Sequence, residues 1–103
     1  MTKETKIMTI REAIKEAITH EMREDENVFL MGEDVGIFGG DFVTTVGMLE
    51  EFGSERVIDT PISEAAICGA AAGAASVGMR PIVDVTFMDF VTIGMDAIVN
   101  QAA

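Results

Sequence analysis

The stretch IDTPISEAAICGAAAGAASVG (residues 58–78) places one carboxylate, Glu64, at the mouth of a run of alanine and glycine. Pro61 and Ile62 before it, and Ala65, Ala66 and Ile67 after it, leave little polar surface nearby. An acid withdrawn from water binds its proton more tightly and can share it with a basic ring nitrogen. A first-turn acid is explained as well by the helix dipole, with its carboxylate in solvent. The residues by themselves leave both readings open.

Other chemistry-bearing residues offer less. EDVGIFGGDF, with Gly36, Gly39 and Gly40, invites a phosphate cradle. It lacks the G-x-G-x-x-G spacing and a P-loop lysine, and Glu33, Asp34 and Asp41 would repel a phosphate. A tight surface turn is the simpler reading. Cys68 is alone, so no disulfide framework or metal-ligand spacing exists, and a small buried thiol is expected. His20 lies among charged residues and reads as an ordinary exposed histidine.

These residues need elements to hold them. Thr9 and Glu12 make a capping-box pattern, followed by apolar residues at helical spacing: Ile10, Ala13, Ile14, Ala17, Ile18 and Met22. VFLMG reads as a buried parallel strand. TTVGMLEEFG reads as a short amphipathic helix closed by Gly53. RVID is a second strand, stopped before Pro61. Ser63 can cap the next helix, which ends near Val77 with Gly78 behind it. Its face of Gly69, Ala70, Gly73 and Ala74 suits close packing. PIVDVTF is a third strand, and residues 88–103 are helical in pattern, with Phe90, Ile93, Ala97 and Ile98 spaced toward a core. Alternating strands and helices give an α/β class with a mainly parallel sheet.

Composition narrows the function. The 103 residues carry 18 acids against 7 bases, a formal charge of −11, and 15 of those acids lie at or before Glu64. That sign argues against nucleic acid and against an anionic membrane surface. The apolar run from 65 to 79 is too short to span a bilayer, no signal peptide opens the chain, and a cytoplasmic protein is expected. The helical pattern runs to Ala103 without a cap, and three strands make a narrow sheet with open edges. The expectation is the front portion of a longer polypeptide that self-associates on its own.

VFLMGEDVGIFGGDF, RVIDTPISEAAICGAAAGAASVGMRPIVDVTFMDF and MDAIVNQAA resemble the start of the beta subunit of thiamine-diphosphate-dependent 2-oxoacid and acetoin dehydrogenases. The resemblance runs from about Thr9 to Ala103, and FMDFVTIGMDAIVNQAA leans to the acetoin branch. It implies that residues 1–103 are the amino-terminal part of a transketolase-like pyrimidine-binding domain. The rest of that domain and a carboxyl-terminal domain would lie outside the chain.

The resemblance also assigns roles. Glu64, the acid of DTPISE, would hydrogen-bond the cofactor's pyrimidine nitrogen and share a proton with it. Phe90 would pack on the pyrimidine face, with Ile62 and Thr86 lining the same pocket. Glu33, in the GE motif, would face a channel between paired cofactors and relay protons. An alpha subunit would hold the diphosphate and its Mg²⁺ and complete a heterotetramer, and a lipoyl-bearing acyltransferase would take the acyl group. This chain alone is then expected to be inactive. The competing expectation is a free-standing small α/β interaction module without catalysis.

Overall fold

A computed structural model describes residues 4–103. Helix α1 (Ile10–Glu24) opens with both arms of the capping box: the Glu12 amide donates to Thr9 Oγ1 at 3.2 Å, and the Thr9 amide donates to Glu12 Oε2 at 2.7 Å. The carboxyl of Glu12 is held below its usual range, chiefly by the Thr9 amide and then by the Thr9 hydroxyl. Strand β1 (Val28–Gly32) is buried along its whole length. It is the middle strand, pairing in parallel with β2 (Val57–Asp59) on one side and β3 (Arg80–Asp84) on the other. The parallel α/β expectation holds.

Alternation along β1 sorts the core into two layers. Val28 and Leu30 join Met22, Val35, Met48 and Val57 beneath α1 and the short α2 (Met48–Phe52). Phe29 and Met31 join Ile67 beneath α3 (Glu64–Ser76). Arg56 ties the first layer together: its guanidinium donates to the carbonyls of Met22, Asp25 and Val28 at 2.6–3.2 Å, 5.2 Å from the Phe52 ring centroid.

Several local expectations need correction. The helix expected over 44–53 is only α2, because Gly47, at φ 82°, sits before its first residue; Gly53 does close it, its amide bonding Leu49 O. Ser63 makes no side-chain cap to α3. Strand β3 ends at Asp84, since Thr86 takes a φ of 69° and its amide turns back to Asp84 Oδ1. The last segment is helical from 88 to 101, as its pattern implies, but its winding changes along the way: α4 (Met88–Val91), a 3-10 turn (Thr92–Gly94) and a π turn (Ala97–Gln101).

Burial also departs from the periodic pattern. In α1 only Met22 is buried, and Ile10 is 81% exposed. Gly94 and Ala97 are buried, whereas Ile93 and Ile98 are exposed and Phe90 is half-buried. On α3, Ala71 and Ala74 pack on the sheet, while a side chain at Gly69 or Gly73 would meet nothing within 4 Å. Cys68 is buried and His20 exposed, as the sequence reading expected.

Candidate functional site

The register brings three strand ends to one edge: Gly32 stands beside Asp59 on one side and Asp84 on the other. The chain leaves β1 toward β2, then crosses back over β1 through α3 to reach β3. In parallel sheets, such a reversal opens a crevice beyond the carboxyl ends of the strands. Glu33 follows β1 at this edge, Thr60 to Ser63 follow β2, and Val85 and Thr86 follow β3.

Glu64 is the first residue of α3 and is only 7% exposed. It is buried, as its apolar neighbours implied. Among the described residues no hydrogen bond engages its carboxylate, so its oxygens are free to accept a donor from outside the chain. Glu33 is half-buried, and its Oε1 is shut off from solvent without a partner. Burial raises the proton affinity of Glu33 first; the charges of Glu64, Asp34 and Asp41 add to it in that order. Glu64 thus acts on Glu33 at this edge, although 31 positions separate them in sequence.

The remaining predicted residues are less concentrated. Thr86 lines a groove of about 430 Å³ between β3, α1 and the loop bearing Phe42 and Thr44. Phe90 packs edge-on against Phe87, their centroids 5.5 Å apart, and Phe87 meets Phe42 in the same way at 5.3 Å. Ile62 is 84% exposed. Glu33 and Glu64 are therefore brought together, Phe90 and Thr86 stand on the β3 side, and Ile62 is presented to solvent.

Two residues at this edge were missed. Thr60 Oγ1 is buried without a partner, and its backbone amide donates to Gly32 O at 3.0 Å. Asp59 accepts from the amides of Gly36 (2.7 Å) and Ile37 (3.1 Å). A glycine-rich turn with free amides is a readable signal for an anion; that the anion is a side chain from the end of β2 is not. The same contacts agree with rejection of phosphate here, because the amides already hold a carboxylate.

The edge suits one kind of guest. Acceptors without donors (Glu64, and the buried Glu33 Oε1) fit a polar ring that brings its own N–H or a nitrogen able to share a proton. They do not fit a diphosphate, which would meet Glu33, Asp34, Asp41, Asp59 and Asp84. No group of three or more metal-ligating side chains occurs among the described residues.

Residues 6–103 match the family model for the transketolase pyrimidine-binding domain. The chain belongs to that family. The matched span of this pyrimidine-binding domain includes Glu33, Glu64, Thr86 and Phe90. The domain is 47% identical over 96 residues to the pyruvate dehydrogenase E1 component subunit beta of Rhizobium meliloti, covering 93% of this chain and 21% of that protein. It is 47% identical over 97 residues to the 2-oxoisovalerate dehydrogenase subunit beta of Bacillus subtilis, covering 94% and 30%. A pyruvate dehydrogenase beta subunit of Rickettsia bellii is 49% identical over 96 residues, covering 93% and 30%. The chain thus spans between about a fifth and a third of the length of these curated relatives.

Proposed function

We propose that this chain is the pyrimidine-binding part of the beta subunit of a thiamine-diphosphate-dependent 2-oxoacid dehydrogenase. The observation that carries the reading is Glu64, a largely buried residue whose carboxylate has no partner in the chain, within electrostatic reach of Glu33 at the carboxyl edge of the sheet in a pyrimidine-binding domain. The likeness to pyruvate and 2-oxoisovalerate dehydrogenase beta subunits supports it. When bound, thiamine diphosphate supplies the carbon nucleophile and electron sink for 2-oxo chemistry.

The residues divide the work as follows. Glu64 accepts or shares a proton with the pyrimidine ring nitrogen. Glu33, with its raised proton affinity, stores and passes a proton at the same edge. Phe90 offers a flat apolar face for the ring, Thr86 lies on the same side, and Ile62, presented to solvent here, is assigned to the pocket by the family likeness alone. The acidic edge leaves the diphosphate and its Mg²⁺ to an alpha subunit, in a heterotetramer serving a lipoyl-bearing acyltransferase. A cytoplasmic setting suits the lone buried thiol, and no described helix is long and apolar enough to cross a membrane. In isolation the chain would self-associate through its open strand edges, β2 and β3, and the Ala/Gly face of α3.

The substrate is the finer question. FMDFVTIGMDAIVNQAA favours the acetoin branch, whereas the relatives named above are 2-oxoacid enzymes. Co-expression of the full-length chain with its alpha partner, then assay with thiamine diphosphate and Mg²⁺, compares acetoin, pyruvate and 2-oxoisovalerate directly. Glu64→Gln is expected to lower the cofactor-dependent rate ~10²-fold or more; a variant with near-normal activity would overturn the assignment.

A further inference from the structure

We propose that Asp59 is a positioning residue: its carboxylate, seated in the amide turn of the loop after β1, sets where Glu33 stands relative to Glu64. The geometry is a bracket. On one side of Glu33, Gly32 O accepts from the Thr60 amide at 3.0 Å. On the other side, the amides of Gly36 and Ile37 donate to Asp59 Oδ1 and Oδ2 at 2.7 and 3.1 Å. Glu33 therefore hangs between two grips, both supplied by adjacent residues at the end of β2. The same chain, four residues past Thr60, becomes Glu64. One short segment thus carries one acid and fixes the other.

The rest of the loop makes this grip decisive. Val35 is fully buried, and its carbonyl accepts from the buried Thr45 hydroxyl at 2.7 Å. The Gly40 amide closes on Asp34 O at 2.7 Å, and the Thr45 amide on Gly39 O at 2.9 Å. Those bonds shape the loop internally, and Val35 packs it into the core with Val57 of β2. Asp59 and Thr60 supply the hydrogen-bonded tie to the end of β2, and Asp59 does so through two charge-assisted bonds, about twice as strong as neutral ones. Gly36 fits the arrangement: a Cβ there would lie 2.7 Å from Asp59 Oδ2.

Glu33 itself reports the placement. Its proton affinity is raised first by burial and then by Glu64, Asp34 and Asp41. A loop released from Asp59 lets Glu33 move toward water and away from Glu64, so its proton affinity falls. Asp59→Ala and Asp59→Asn lose the same charge, so a larger fall in Asp59→Ala reads position. The catalytic consequence rests on the function proposed above; the geometric claim does not.

The test uses the full-length chain with Asp59→Ala and Asp59→Asn, and Met79→Ala as a control packed at the opposite edge of the sheet. Carboxyl infrared titration, with the Glu33 band assigned by its loss in Glu33→Gln, gives the proton affinity without cofactor or substrate. Amide exchange at Gly36 and Ile37 gives the grip directly. Asp59→Ala is expected to speed that exchange about 10- to 100-fold and to move the Glu33 titration down toward the ordinary carboxylate range. Asp59→Asn, which keeps one acceptor and folds more readily, should fall between, and Met79→Ala should lose stability with the titration unmoved. Faster exchange with an unmoved Glu33 titration in both Asp59 variants would overturn the proposal, as would a control that shifts Glu33 equally. Activity of the assembled enzyme, measured separately, judges the proposed function and leaves these readouts untouched.

Discussion

Gly94 lies directly against Cys68: a Cβ at Gly94 would sit 2.6 Å from the Cys68 sulfur and 3.4 Å from the carbonyl oxygen of Glu64. This contact presses the turn after α4 onto the first turns of the helix that begins with Glu64. The small-residue stretch serves close packing here, at Cys68, more than at the open glycines 69 and 73.

Gly94→Ala is expected to cost about 1–3 kcal/mol by overpacking. Adding Cys68→Ala removes the sulfur and should recover much of that loss. Chemical denaturation of the four members of this cycle measures the coupling; strictly additive losses would mean that the contact is slack.

Arg56 anchors the end of α1 to β1 through three carbonyls. Arg56→Ala is expected to destabilise by about 2–3 kcal/mol, because it strands partly buried acceptors. Arg56→Lys should recover less than half, since an ammonium cannot reproduce the planar fork. Thermal melts of the two variants would expose an equal effect, which this geometry does not allow.

The pH dependence at Glu33 has a definite sign. Its carboxyl titrates higher in the fold than in the unfolded chain, chiefly through burial. Between the ordinary value and the raised one, the native state holds a proton that the unfolded state has lost, so stability falls as pH rises through that window. Glu33→Gln removes this slope. Its melting temperature relative to wild type should therefore climb from about pH 4 toward neutrality, and a flat difference across that range would contradict the burial.

Glu12 has the opposite sign. Held low by the Thr9 amide, it contributes stability above the ordinary carboxylate range, and this is lost as pH falls through the lowered value. Thr9→Ala should cost about 1 kcal/mol near neutrality. Glu12→Gln should cost most near neutrality and progressively less in acid, as urea titrations at a series of pH values would register.

What the residues disclosed follows from how local each signal is. The capping box of Thr9 and Glu12 closes within one turn, and β1 declares itself as an apolar run ending in glycine; both stood in the structure as read. Met22 was picked out with five other stripe positions, yet it alone of them is buried, because a period gives the face of a helix and not how far the sheet beneath extends. The packing of Gly94 on Cys68 joins residues 26 positions apart in sequence and could not be read from either stretch alone.

For the site, the sequence by itself determined that Glu64 would open a helix among apolar neighbours and that the loop after β1 would be acidic and rich in glycine. Those properties are local, set by side-chain type and by the few residues on either side. Only the tertiary structure decided that Glu33 comes within electrostatic reach of Glu64, that Asp59 fills the loop's amides, and that Thr60 buries a hydroxyl at the same edge. Parallel pairing in the order β2-β1-β3 carries the ends of separate strands to one edge. Exclusion of water and the force between two carboxylates depend on that meeting in space.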